Sequence, residues 1–128
     1  LGMTAHVRYT ALDATAPATQ STTVIGDVIR GRIGFDGLLM TDDLSMKALR
    51  GPFGVRAEAA IGAGCDLVLH CNGNPAEAAA VAEVVPELAG RALARAERAQ
   101  AVRGSAGQAD PAALEAEFVE LRERATGA

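Results

Sequence analysis

The sequence has 128 residues, of which 49% are apolar and 22% are charged, and its formal net charge at pH 7 is −4. This length suits one domain at most, and the apolar fraction is too high for a disordered protein. The acidic balance argues against nucleic acid and anionic membranes as partners, and no apolar run approaches the roughly 20 residues of a membrane-spanning helix.

Three units of strand, loop and helix follow one another along the chain. Apolar residues at three- and four-residue steps predict the helices, and short apolar runs predict the strands. The predicted elements are strand 1–7, helix 22–33 with Ser21 or Thr22 as its cap and Ile33 in its apolar stripe, strand 37–41, helix 53–63 ended by Gly64, strand 66–71, and helices 76–85 and 87–102. Strands that alternate with helices predict an α/β fold with a parallel sheet. The apolar second and third strands are typical of a sheet covered on both faces.

The carboxyl-terminal part of the sequence differs in composition. Residues 103–110 are rich in Gly, Ser and Gln and are predicted to form a linker, and Pro111 starts a last helix that ends near Arg124. The predicted organisation is therefore a domain at 1–102, a linker at 103–110 and a helical segment at 111–128. The apolar stripe of the last helix consists of Leu114, Phe118 and Leu121.

The two cysteines bracket the third strand. Cys65 and Cys71 would lie roughly 20 Å apart along an extended strand, beyond the roughly 7 Å reach of a disulfide. We therefore expect free thiols and a reducing compartment, with Cys71 as a small core residue.

Two adjacent carboxylates, Asp42 and Asp43, end the second strand. The carboxyl end of a parallel strand is where ligands bind in α/β folds. Successive strand side chains point to opposite faces, so only one of the pair can face a given pocket. Asp43 suits a cap for the turn that follows, which leaves Asp42 as the better functional candidate, although spacing alone is equally compatible with two loop or cap acids. His6 ends the first strand at the same edge, either as a structural histidine or as part of a shared pocket.

A carboxylate at a strand end without a set of metal ligands suits a nucleophile or a stabiliser of a cationic transition state. No metal site is predicted. Two other classes stay open: a Mg²⁺-dependent phosphoacceptor or phosphatase-like domain that uses Asp42 and Asp43, and a non-catalytic module that binds a glycan or a partner subunit.

Five segments occur in the order and spacing of one protein family. They are Met3–Val7, Gly34–Gly37, Thr41–Met46, Ala63–Asp66 and Cys71-Asn72. Over residues 1–101 the chain resembles bacterial family 3 glycoside hydrolases of the β-N-acetylhexosaminidase branch, and the Asp-Asp-Leu-Ser-Met run from Asp42 is the most specific part. The resemblance implies a (β/α)8 TIM barrel, of which this chain would be the last three βα units plus carboxyl-terminal helices.

The resemblance also implies a retaining mechanism in which Asp42 is the nucleophile. His6 and Asp43 are expected to be substrate-binding residues, and Thr41 stands where serine is commoner in the family. The implied substrate is a terminal β-N-acetylglucosamine of peptidoglycan-derived muropeptides, hydrolysed without a cofactor during cell-wall recycling in the cytoplasm.

The family's acid/base histidine lies in a Lys-His-Phe-Pro-Gly-His-Gly type of motif that this sequence does not contain. The chain is therefore expected to be a carboxyl-terminal fragment that is inactive alone. It is also expected to self-associate or to pair with the missing amino-terminal part.

Overall fold

The computed structural model describes residues 1–103 and 109–127. Its elements are, in chain order, β1 (Gly2–Met3), a 3-10 turn (Ala18–Gln20), a π-helix (Thr23–Arg32), β2 (Leu39–Asp43), α1 (Phe53–Ala63), β3 (Leu67–Leu69), α2 (Pro75–Ala82), α3 (Gly90–Arg103) and α4 (Pro111–Thr126). The alternation of strands and helices confirms the α/β class.

The three described strands form one parallel sheet, as predicted, and the structure gives their order as β1-β2-β3. However, β1 and β3 are much shorter than the predicted strands 1–7 and 66–71, because side chains replace backbone groups in the ladder. Thr4 N–H still donates to Met40 O. At the next step the His6 ring, not a backbone N–H, bonds the Asp43 carbonyl, and Cys71 N–H donates to the Asp43 carboxylate.

Among the described residues the core comprises two apolar clusters, and both include residues of α1. One contains Ile25, Leu39, Ala60, Ala63 and Cys65, and the other contains Leu44, Leu49, Ala57 and Val81. Small residues on the buried face of α1 let this helix lie close to the 3-10 turn and to α2. Covering of the sheet is incomplete, since all three residues of β3 are only half-buried.

Gly64 ends α1 as predicted. Its φ of +114° is a left-handed conformation that favours glycine, and a Cβ there would lie 3.0 Å from Ile25 Cγ2. Backbone conformation and packing therefore both require glycine at this position.

The helix after the first strand is confirmed in position but not in type. It has i→i+5 hydrogen bonds, such as Ile33 N–H to Val28 O, instead of the α-helical pattern that the spacing predicted. Ser21 is the predicted cap, since its hydroxyl accepts a hydrogen bond from Val24 N–H. Ile33, which was expected to pack inward, is 68% exposed because it lies past the helix end.

The bounds and packing of the carboxyl-terminal helices also differ from those predicted. The interruption expected at Pro86 is wider and spans residues 83–89. Of the predicted linker, residues 104–108 lie outside the described residues. Helix α4 is confirmed, but its apolar stripe of Leu114, Phe118 and Leu121 is more than half exposed.

An ion-pair network fastens α3 to the amino-terminal end of the sheet. Asp66, whose side chain is 5% exposed, accepts hydrogen bonds from Arg30, from Arg95 and from the backbone N–H of Leu39, at 2.8–2.9 Å. Arg95 also bonds Asp36. This network joins the π-helix, β2 and α3 around one nearly buried carboxylate.

Apolar surface lies beside both outer strands of the sheet. A groove of about 300 Å³ next to β1 is lined by Met3, Leu12, Val28, Ile29 and Ile33, among others. A cavity of about 440 Å³ next to β3 is lined by Ile61, Leu67, Val68, Leu88 and Ala92, among others. Across residues 1–103 and 109–127, no helix has both the length and the hydropathy to cross a membrane.

Candidate functional site

A β-bulge lies at the carboxyl end of β2, where the two aspartates are. Met40 pairs with Leu67 and Asp43 pairs with Leu69, so three steps along β2 match two steps along β3. Bulges redirect side chains and are frequent beside active sites. Thr41 and Asp42 lie inside this bulge, so the simple alternation of strand faces does not apply to them.

Thr41 fixes the bulge to the neighbouring strand. Its side chain is fully buried, and Oγ1 accepts a hydrogen bond of 2.9 Å from Leu69 N–H. A hydroxyl group therefore replaces a backbone carbonyl at the point where the ladder is interrupted. A serine could make the same bond, which explains physically why threonine can stand where serine is commoner.

Asp42 is half-buried and has one oxygen unengaged. Oδ1 accepts a hydrogen bond of 2.8 Å from the N–H of the next residue. Oδ2 accepts none from the residues that the structure describes, and the ion pairs found there do not include Asp42. The carboxylate is thus held at one atom, while the other can reach a ligand.

Asp43 has a different role, that of a connector. Oδ1 accepts hydrogen bonds from Ser45 N–H at 3.0 Å and from Cys71 N–H at 3.1 Å, and Oδ2 accepts one from the Ser45 hydroxyl. The hydrogen bond from the Ser45 hydroxyl is the main reason that the pKa of Asp43 lies below its ordinary value. The prediction that Asp43 caps the following turn is confirmed, although residues 44–49 form turns and no helix.

Removing the Ser45 hydroxyl should make Asp43 easier to protonate. Because the folded-state pKa of Asp43 is lowered, its hydrogen bonds stabilise the fold above the ordinary value of 3.8, and this stability is lost as the pH falls through the folded-state value. Ser45→Ala should therefore unfold at a lower urea concentration than wild type at pH 6, and the gap should narrow in acid. Thr10→Ala, which removes a hydroxyl from an exposed residue, is the control, and a gap that stays constant down to pH 2 would contradict the assignment.

His6 lies at the same edge, but it contacts Asp43 and not Asp42. Nε2 is 3.0 Å from the carbonyl oxygen of Asp43, and Nδ1 is 2.8 Å from the hydroxyl of the buried Thr19. Thr19 Oγ1 lies 2.9 Å from Thr4 Oγ1, which is also buried. Both ring nitrogens therefore have protein partners, in a polar chain that runs from the interior to the end of β2.

Arg56 is a residue of this region that the sequence patterns did not indicate. From α1 its guanidinium donates to Leu44 O at 2.7 Å and to Gly51 O at 2.8 Å, and it lies 4.8 Å from the centre of the Phe53 ring. It thereby holds the segment that follows the two aspartates. A single arginine on a helix has no motif that would have singled it out.

The end of β3 contains a second polar group. His70 Nε2 lies 3.1 Å from Glu77 Oε2, and the His70 ring packs edge-on against Phe53. Asn72 donates to Glu77 and accepts from Asn74 N–H, so its side chain stabilises the turn after β3. Hydrogen bonds from Asn72 and His70 lower the pKa of Glu77.

Both cysteines are free, as predicted, but only Cys65 belongs to the core. Cys71 is exposed, so its prediction as a core residue was wrong: the strand has already ended and residue 71 lies on the turn that follows. Burial raises the pKa of the Cys65 thiol to about 11.

Native protein treated with iodoacetamide at pH 8 should be labelled at Cys71 and not at Cys65. With a pKa of about 11, only roughly one Cys65 thiol in a thousand is ionised at that pH, and it is also shielded from the reagent. Peptide mass spectrometry reads the sites, and Cys71→Ser should remove the native label. Equal labelling of both cysteines before unfolding would contradict the burial of Cys65.

The region that contains these site residues matches a known protein family. Residues 2–103 match the glycosyl hydrolase family 3 N terminal domain. The chain belongs to glycosyl hydrolase family 3. Curated relatives include a beta-hexosaminidase of Aromatoleum aromaticum, 41% identical over 88% of this chain and 31% of its own length. Another is a beta-hexosaminidase of Alkalilimnicola ehrlichii, 48% identical over 66% of this chain and 24% of its own length.

Solved structures agree with this family 3 assignment. A family 3 beta-N-acetylglucosaminidase from Paenibacillus sp. str. FPU-7 superposes with a TM-score of 0.69 and is 32% identical, over 84% of this chain and 23% of that one. The beta-N-acetylglucosaminidase from Thermotoga maritima gives a TM-score of 0.62 at 29% identity, over 77% of this chain and 24% of that one. The chain therefore spans about a quarter to a third of the length of these relatives.

Within the described parts of the chain, no three His, Cys, Asp or Glu side chains come together as a metal site.

Proposed function

We propose that this chain supplies the nucleophile of a retaining β-N-acetylhexosaminidase, and that the nucleophile is Asp42. The observation that carries the proposal is the half-buried Asp42 carboxylate in the bulge of β2, with Oδ2 unengaged by the described residues. Membership of family 3, with relatives named beta-hexosaminidase, favours this reaction over the phosphoacceptor and the non-catalytic module that spacing left open.

In the proposed reaction, Asp42 attacks the anomeric carbon of the sugar. The bond from that carbon to the leaving oxygen breaks, and the leaving oxygen takes a proton from an acid that other parts of the protein supply. Water then attacks the same carbon and gives a proton to the base left by the first step, which breaks the bond to Asp42, releases the sugar and restores both the carboxylate and the acid. Two inversions give net retention of configuration. The hydrogen bond from Asp43 N–H to Asp42 Oδ1 fixes the rotation of the carboxylate during the attack.

The proposed substrate is a terminal β-N-acetylglucosamine of muropeptides from peptidoglycan, hydrolysed in the cytoplasm. Contacts of His6 and Asp43 with the sugar stay a prediction. Fractionation of cells with an antibody to this protein tests the location, and recovery in the extracellular or membrane fraction would contradict it.

We also propose that the three βα units are the last three of a (β/α)8 barrel. Two observations support this placement. Apolar residues line a groove beside β1 and a cavity beside β3, where further strands and helices would pack. The relatives are three to four times as long as the aligned region, which leaves ample chain for five further units.

The isolated chain 1–128 should hydrolyse 4-nitrophenyl N-acetyl-β-D-glucosaminide poorly, whereas the full-length protein should hydrolyse it readily. Loss of acid/base assistance alone is typically worth about 10²–10⁴-fold in rate. Comparable rates would contradict the proposal that the nucleophile and the acid lie in different parts of the protein. A full-length protein that prefers the matching aryl glucoside would contradict the assignment to the β-N-acetylhexosaminidase branch.

Light scattering after size exclusion should show self-association of the isolated chain, and a stable monomer would refute it.

A further inference from the structure

The polar chain that contains His6 reaches the backbone beside Asp42. The carbonyl that His6 contacts belongs to Asp43, the residue whose N–H bonds Asp42 Oδ1. The Asp43 carbonyl belongs to the peptide unit between residues 43 and 44. Its displacement would also shift the preceding peptide unit, whose N–H orients the Asp42 carboxylate. The ring thus contacts the backbone beside Asp42, and the described hydrogen bonds do not join it to the Asp42 side chain.

We propose that His6 is a positioning residue for Asp42, because its ring bridges the buried hydroxyl of Thr19 and the carbonyl of Asp43. This inference rests on the proposed function, since it assigns His6 a part in aligning the nucleophile. It differs from the prediction of a sugar contact, because both ring nitrogens already have protein partners.

The partners determine which ring nitrogen carries a proton. A carbonyl oxygen can only accept, so Nε2 must donate to Asp43 O. Nδ1 faces Thr19 Oγ1, which is fully buried and is also within reach of Thr4 Oγ1 and Ala5 O. The Thr19 hydroxyl donates to Ala5 O at 3.1 Å and lies 2.8 Å from Nδ1, so in the neutral ring its one proton is shared between these two acceptors, while the Thr4 hydroxyl donates to Thr19 Oγ1. Every polar atom of the chain thus has a partner, which rigidifies such networks.

The side of the bulge that faces β3 is held by other hydrogen bonds, which do not involve His6. Thr41 Oγ1 accepts from Leu69 N–H, Leu44 N–H donates to Leu69 O, and the Asp43 carboxylate accepts from Cys71 N–H. On the side of β1, the described hydrogen bond nearest to Asp42 is the one from His6. Loss of the ring should therefore free one side of the bulge and leave the other in place.

The experiment uses the full-length protein and 4-nitrophenyl N-acetyl-β-D-glucosaminide. His6→Ala should lower kcat roughly 10–100-fold and leave KM within about twofold, since small misplacements of a reacting group have effects of this size. His6→Gln should recover most of kcat, because its side-chain amide can donate to Asp43 O from nearly the position of Nε2. Thr19→Val should also lower kcat, by a smaller factor.

Several results would overturn the inference. A raised KM with unchanged kcat in His6→Ala would indicate a sugar contact, and a lowered melting temperature with unchanged kcat would indicate a purely structural residue. If His6→Ala does not fold, Thr19→Val decides, and wild-type kcat in that variant refutes the positioning role. Nitrogen-15 NMR of the wild type should show a proton on Nε2 of His6, and an unprotonated Nε2 would contradict the bridge.

The activity of the wild type separates a failure of the proposed function from a failure of the positioning role of His6. A wild-type protein without glycosidase activity would overturn the proposed function and this inference with it. An active wild type that loses activity in Asp42→Ala but keeps full kcat in His6→Ala would overturn the inference alone.

Discussion

Replacing Asp42 by asparagine in the full-length protein should lower kcat on aryl N-acetyl-β-D-glucosaminides on the order of 10⁴–10⁶-fold, the range found when a catalytic nucleophile is removed. Asparagine has nearly the same shape, and its side-chain carbonyl can still accept from Asp43 N–H. The substitution therefore removes the nucleophilic oxygen and leaves the fold intact. Steady-state kinetics on freshly purified protein measures the change, and circular dichroism should be that of the wild type.

Asp27→Asn is a matched control, because Asp27 is exposed on the π-helix and away from the strand ends. It should keep wild-type kcat. A second control adds azide to the Asp42→Ala variant. This small anion can occupy the space of the missing carboxylate and attack the anomeric carbon in its place. Rescue by azide should yield the α-glycosyl azide, by a single inversion. A β-glycosyl azide would instead indicate that Asp42 is the acid/base, and unchanged kcat in Asp42→Asn would exclude it as the nucleophile.

Replacing Asp66 by alanine should lower the free energy of unfolding by about 3–5 kcal/mol, as expected when one partner of a buried ion pair is removed. The substitution leaves Arg30 and Arg95, whose side chains are 17% and 12% exposed, without this carboxylate. It also removes the acceptor for Leu39 N–H at the start of β2. Urea unfolding of wild type and variant measures the loss, and faster tryptic cleavage within α3 should accompany it.

Glu120→Ala is the control for this prediction. Glu120 pairs with Arg124 on the exposed surface of α4, and pairs of this kind contribute roughly 0–1 kcal/mol. Asp66→Asn should lie between the two, because it keeps the shape of the side chain and an acceptor for Leu39 N–H but loses the charge. A loss below about 1 kcal/mol in Asp66→Ala would show that the network does not hold α3 to the sheet.

The order of elements and the parallel sheet could be predicted from sequence because they depend on local signals. Apolar periodicity and Gly64 place α1 and α2 within a few residues. The lengths of β1 and β3 could not be predicted, since beyond Met3 and Leu69 His6 and Cys71 form hydrogen bonds with Asp43, a residue distant in the sequence, instead of continuing the ladder. The π-helical hydrogen bonding could not be predicted either, because apolar residues at three- and four-residue steps do not distinguish a π-helix from an α-helix.

The sequence singles out residues for the candidate site, and their roles in binding and catalysis stay predictions, but it does not indicate how these residues are connected. A pair of carboxylates after an apolar strand singled out Asp42 and Asp43, and the preference of Asp for caps separated their roles. The bulge at Thr41 and Asp42 depends on pairing with β3, which alternation within one strand cannot reveal. Arg56 was missed because its partners are backbone carbonyls, which have no signature in the sequence.

The most direct test of the central claim is to trap the glycosyl-enzyme intermediate. The full-length protein would be inactivated with a 5-fluoro N-acetylglucosaminyl fluoride, which slows hydrolysis of the intermediate, and then digested with trypsin. The peptide of residues 33–47 contains Asp36, Asp42 and Asp43, so fragmentation can assign the modified residue. We predict one added sugar on Asp42. Modification of Asp43, or of a residue outside this peptide, would contradict the account.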